Sequence, residues 1–161
     1  MEKITDKSNH YLIFILEKER YALSVSSVER IFQAVNITHL PEGPDILKGI
    51  IKMKGLIVPV INIRKRLNLP DKELELSDTM IIARTEKLIV ALLVDEVTGL
   101  MEIEEKDMEQ KDNILPGLKY IEGVIKFSSD IIIVCNLDDF LSLEEEEIIA
   151  DITGEKKDNE Y

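Results

Sequence analysis

Short apolar runs rich in Val, Ile and Leu alternate with polar turn residues along most of the chain, the pattern of strands that bury one or both faces. Ten strands are predicted, at residues 12–16, 20–24, 35–39, 50–54 and 56–61, then at 79–84, 88–94, 99–103, 120–127 and 131–137. Glu17-Lys18-Glu19, Thr85-Glu86-Lys87 and Ser128-Ser129-Asp130 are short polar links of the hairpin kind. Pro59 has no N–H to give a ladder, so its strand is expected at a sheet edge or at a bulge. Helical signals are few. Val25, Val28, Ile31 and Phe32 would share one face of a short helix over 25–32, and Pro44 opens a turn ending near Gly49. Asn62 is placed to cap a turn over 63–67 and Asp138 one over 139–141. Ser142 and Glu145 have capping-box spacing ahead of a helix over 146–152.

A duplication runs through this pattern. Segment 49–67 aligns without a gap on segment 123–141, with identities at Gly49/Gly123, Ile51/Ile125, Lys52/Lys126, Ile57/Ile131, Val60/Val134, Asn62/Asn136 and Leu67/Leu141. A weaker echo precedes each copy, where a strand–turn–strand leads to Val25 and Val28 or to Val94 and Val97. Two similar five-stranded halves follow, each closed by a strand, a hairpin and a short helix. Sheets this small remove their edges by curling into barrels, and a groove between two barrels is a usual place for a partner.

Composition narrows the function. The 161 residues suffice for one domain or two small halves sharing a core. Thirty-two acidic residues against 20 basic ones give a net charge of −12, which opposes non-specific binding to nucleic acid and to anionic lipid. No apolar run approaches the roughly 18 residues of a membrane span, and the first residues lack a secretory apolar run, so a soluble cytoplasmic protein is expected. Cys135, the single cysteine, leaves neither a disulfide nor a CxxC metal site, and its aliphatic neighbours mark a buried, inert thiol. His10 and His39 have no Cys or Asp at triad or metal spacing. Gly49 and Gly55 flank a strand and do not open a helix as a phosphate loop would. No catalytic residue, metal site or cofactor is therefore expected.

Charge is also segregated. Lys48, Lys52, Lys54, Arg64, Lys65 and Arg66 face one acid within 45–70, a local +5, whereas 144–161 holds eight acids and two lysines. The basic segment fits either a steering surface for an acidic protein partner or a solubilising face. The 104–119 connection, longer than most, fits a docking loop or a plain crossover.

From Leu40 the chain reads Leu-Pro-Glu-Gly-Pro-Asp-Ile-Leu-Lys-Gly-Ile-Ile-Lys-Met-Lys-Gly-Leu-Ile-Val-Pro-Val-Ile-Asn-Ile-Arg. This resembles the signature of the CheW-like chemotaxis coupling proteins, in which a helical turn precedes Gly-Val-x-Asn-Leu-Arg-Gly-x-Ile-x-Pro-Val-x-Asp-Leu-Arg. Val-Asp-Glu-Val from Val94 and Tyr-Ile-Glu-Gly-Val-Ile-Lys from Tyr120 resemble later family segments, and the likeness spans 11–149. It implies an all-β fold of two intertwined five-stranded SH3-like β-barrels with short connecting helices and a C-terminal helix. Beyond the likeness, the acidic residues 150–161 are expected to form a flexible tail. The resemblance also implies a non-catalytic adaptor, without cofactors, that couples the cytoplasmic tip of chemoreceptors to the regulatory domain of a CheA-type histidine kinase. Such an adaptor works in the cytoplasm, recruited to membrane receptor arrays without inserting into the membrane. The alternative is a CheW-like regulator or competitor in another two-component signalling array.

By this resemblance the receptor side uses the groove between barrels, with Val28, Arg30, Lys54 and Leu100 as candidates and Lys48 and Gly55 nearby. Exposed apolar residues on the barrel rims would meet the kinase. The chain departs from the family pattern in three places. Asn-Leu-Arg-Gly reads Lys52-Met53-Lys54-Gly55, which replaces a planar guanidinium fork by a point charge. Arg30 stands where a Glu is frequent, and Asn62 stands for an Asp that would cap equally well. Val28 and Leu100 also fit core positions, and Gly55 also fits the demands of a hairpin turn.

Overall fold

The computed structural model describes residues 9–110 and 119–154, with the backbone alone at Phe127. Two compact units emerge, Met1–Val28 with Val94–Phe140, and Glu29–Leu93 with Leu141–Tyr161. The first holds strands β1 (His10–Leu16), β2 (Glu19–Ser24), β8 (Glu96–Glu102), β9 (Met108–Gln110), β10 (Ile121–Phe127) and β11 (Asp130–Cys135), in the sheet order β8-β1-β2-β11-β10-β9. The second sheet is built from β3 (Val28–Gln33), β4 (Leu47–Met53), β5 (Leu56–Ile61), β6 (Thr79–Arg84) and β7 (Ile89–Val94), in the order β3-β6-β7-β5-β4.

The two sheets share one plan. In each, a leading hairpin (β1-β2 or β6-β7) takes the second strand of the repeated hairpin in parallel, Val134 opposite Ala22 in one and Val60 opposite Ala91 in the other. The cores correspond position by position. Tyr11, Ile13, Ala22, Ile125, Ile132 and Val134 cluster in the first unit, as Met80, Ile82, Ala91, Ile51, Val58 and Val60 do in the second. Buried aliphatic side chains on successive alternate positions provide the main driving force, each worth about 1.5–3 kcal/mol when removed from water.

The repeated glycines have a steric cause. Thr38 bridges Ile50, so a Cβ at Gly49 would lie 2.4 Å from the Thr38 carbonyl oxygen and 2.5 Å from Ile37 Cγ2. Gly123 pairs with Gln110 of β9, and a Cβ there would lie 2.6 Å from Met108 Sδ and 2.7 Å from the Glu109 carbonyl oxygen. At both places the register of the hairpin shifts, between Leu47 and Gly49 and between Ile121 and Gly123. The repeated asparagines end the hairpins alike. The Asn62 amide donates to the Ile46 carbonyl at 2.7 Å and its side chain caps α1 (Ile63–Arg66) by accepting from the Lys65 amide. The Asn136 amide donates to the Tyr120 carbonyl at 2.8 Å, and its side chain accepts from the Asp138 amide to start the 3-10 turn Leu137–Asp139.

Several sequence expectations change. Residues 25–32 are not a helix. Only Val25–Ser27 form a 3-10 turn, and Val28–Gln33 extend as β3 beside β6. Eight residues are too few for helical periodicity to outweigh strand pairing among Val, Ile and Phe. The expected strand over 35–39 reduces to the single Thr38–Ile50 bridge. β5 is interior, between β7 and β4, so Pro59 is not at an edge. Its missing N–H is tolerated because the pairing with β7 begins one residue later, at Val60. The cap expected at Asp138 is made by Asn136. Helix α2 (Leu143–Thr153) starts earlier than expected, on the capping box of Ser142 and Glu145. Residues 155–161 of the tail and 111–118 of the long connection lie outside the described residues.

Gly49→Ala and Gly123→Ala should each cost about 1–3 kcal/mol, because a backbone carbonyl lies within the new methyl's radius. Urea unfolding monitored by circular dichroism measures this, and an unchanged midpoint would contradict the steric reading.

Candidate partner-binding surface

The β4–β5 turn is built by Lys54 at φ 51° and Gly55 at φ 83°, consecutive left-handed residues of the kind that match the twist of a tight hairpin. Nothing lies within 4 Å of a Cβ placed at Gly55, so backbone conformation and not space selects glycine there. The turn carries exposed Lys54 outward, between exposed Lys52 on β4 and exposed Leu56 and Ile57 on β5. Lys52 stands opposite Ile57, and in the other copy Lys126 stands opposite Ile131. Ile57 and Ile131 are both exposed, at 40% and 54%. The duplication therefore keeps surface residues as well as core ones.

The remaining candidates are scattered. Leu100, on β8 and opposite buried Leu12, is 65% exposed, so it is not a core residue. Val28 is half-buried at the start of β3, and Arg30 is exposed further along that strand. β3 and β4 are the two terminal strands of their sheet's order. Lys48 is half-buried at the other end of β4 from the turn, about 20 Å from Lys54 by strand rise, with its Nζ 3.9 Å from Asp71. The structure joins Lys54 to Gly55 and separates Lys48 from both.

The basic segment is also less open than its sum implies. Buried Arg64 donates from Nη1 to the Pro70 carbonyl at 3.0 Å. Arg66 Nη2 reaches both oxygens of Glu145, at 2.7 and 2.9 Å, and so ties α1 to the first turn of α2. Lys52, Lys54 and Lys65 remain exposed and, among the described residues, without an ion pair. Sequence reasoning missed Leu56, Ile57 and Ile131 as surface candidates. The available signal was the pair of identities Lys52/Lys126 and Ile57/Ile131, which no core position explains.

Glu145 shows the electrostatics of the clamp. Partial burial pulls its carboxyl upward, but the Ser142 amide and the Arg66 guanidinium together hold it below the ordinary glutamate range. Burial, with Glu122 nearby, pushes the Cys135 thiol up to about 12, which leaves no thiolate at neutral pH. Among the described residues no three His, Cys, Asp or Glu side chains are grouped to hold a metal ion, and no helix is long and apolar enough to cross a membrane.

Comparison with known proteins agrees with this picture. A family model described as the CheW-like domain matches residues 10–147. A chemotaxis protein CheW of Thermotoga maritima is 28% identical over 82% of this chain and 87% of its own length. One from Bacillus subtilis is 32% identical over 61% of this chain and 63% of its own. The crystal structure of the scaffolding protein TtCheW from Thermoanaerobacter tengcongensis superposes with a TM-score of 0.76 at 27% identity, covering 86% of this chain and 95% of that one.

A glutamate whose folded pKa is depressed adds stability above its unfolded value, about 4.3, and loses it as the pH falls through the folded value. Wild-type protein should therefore lose its advantage over Glu145→Gln as the pH falls below about 4.3 and through the lower folded value. Arg66→Ala should cost about 1–3 kcal/mol at pH 7. Thermal melts from pH 7 down through that transition check both, and parallel pH profiles for wild type and Glu145→Gln would refute the clamp.

Proposed function

The chain belongs to the CheW-like family, and from that premise we propose how this chemotaxis scaffold, which is not an enzyme, engages its partners. It binds the cytoplasmic tip of a chemoreceptor and the regulatory domain of a CheA-type histidine kinase, and it works in the cytoplasm at membrane receptor arrays. The carrying observation is the duplicated exposed pair, Lys52 opposite Ile57 and Lys126 opposite Ile131. Exposed aliphatic side chains retained in both copies favour two similar protein contacts, and the lysine beside each adds steering toward acidic surfaces. These hairpin faces are assigned to the kinase.

The receptor helix is assigned to Leu100, Val28, Arg30 and Lys54, with Gly55 shaping the turn that presents Lys54. Lys48 is the weakest member, because Asp71 lies beside its ammonium. The exposed Leu100 supplies the apolar anchor that such a helix needs, and Arg30 and Lys54 supply charge.

Purified protein tested by calorimetry against a receptor-tip fragment and against the kinase regulatory domain should bind both. Ile57→Asp and Ile131→Asp should each weaken the kinase complex about ten-fold or more. Lys54→Glu should weaken the receptor complex about three- to ten-fold at low salt and less at high salt, whereas Lys48→Glu changes it less. Absence of binding to both fragments would overturn the assignment.

A further inference from the structure

The first unit contains a cleft of about 310 Å³ that shares only Lys126 with the surfaces assigned above. Buried Ile103, Val124 and Ile125 and half-buried Met101 line it. Around these apolar residues stand the carboxylates of Glu102, Asp107 and Glu109, against the one ammonium of Lys126. All three carboxylate residues are exposed, so the charges are available to a partner. Like charges are crowded nearby as well, since partial desolvation and the neighbouring Glu105 raise the Glu122 carboxyl above its ordinary value.

The strands that border the cleft favour an extended chain. β8 and β9 are the two terminal strands of their sheet, and both contribute lining residues, so a peptide backbone laid in the cleft meets a sheet edge on either side. A metal ion lacks its ligands, because no suitable group of three occurs among the described residues. Nucleic acid would face the carboxylates. We propose that this cleft docks an extended segment of a partner protein carrying lysine or arginine beside aliphatic side chains. The aliphatic groups cover Met101 and Ile103 while the cations pair with Glu102, Asp107 and Glu109. The contact is separate from the basic hairpin face at Lys52 and Lys54, and it asks for a partner of opposite charge.

The test is a titration of the nitrogen-15-labelled full chain, at low salt, with acetyl-Val-Lys-Val-Arg-Val-amide. Acetyl-Val-Glu-Val-Glu-Val-amide is the control. Amide shifts are expected at Ile103, Glu109, Val124 and Ile125 with the basic peptide and absent with the acidic one. The double variant Asp107→Lys with Glu109→Lys should lower the affinity about ten-fold with the circular dichroism spectrum unchanged. Met101→Trp, which fills the cleft and leaves its charge alone, should weaken binding too. Shifts spread equally over the exposed acids of α2, or affinity indifferent to the double charge reversal, would overturn the proposal.

Discussion

In both sheets the first strand of the repeated hairpin runs against a further stretch of chain, at a distance that admits no side chain. Thr38 takes that position over Gly49, and β9 takes it over Gly123. Much else follows from these two approaches. The register of each hairpin shifts at the glycine, and each hairpin ends at an asparagine that starts a helical turn. Its second strand enters the sheet in parallel, through Val60 or Val134. The paired core residues then fall into register, since side chains alternate faces and a slip of one residue would turn the apolar set outward.

Much of this was legible in the sequence because the repeated residues are the constrained ones. Gly49/Gly123, Val60/Val134 and Asn62/Asn136 mark close approach, parallel contact and cap, and hydrophobic alternation locates most of the strands. What the sequence hid depended on pairing. β3 reads equally well as one helical face, and only its partner β6 decides. Met108-Glu109-Gln110 has no strand-forming composition, yet it is held as β9 by the ladder to β10. Asn136, in the same way, competes with Asp138 for the cap, and the choice rests on its amide bond to Tyr120.

The candidate surface was legible in kind and blurred in detail. The basic segment seemed a single patch, but charge along a strand is spread in space, and Arg64, Arg66 and Lys48 are taken up by Pro70, Glu145 and Asp71. What remains outward is a hairpin face that pairs lysine with isoleucine, present twice. A scaffold needs no reactive group. Its requirements are ordered elements and exposed apolar anchors, and two paired hairpins present such anchors at Ile57 and Ile131.

The central claim is that this chain couples receptor to kinase, and reconstituted kinase activity addresses it most directly. Autophosphorylation of the cognate histidine kinase would be measured with receptor-containing vesicles, with and without the protein. Coupling predicts a saturable rise in phosphorylation on adding the protein, seen only when receptor and kinase are both present. Unchanged phosphorylation would contradict the account, and a fall would mark the protein as a regulator or competitor.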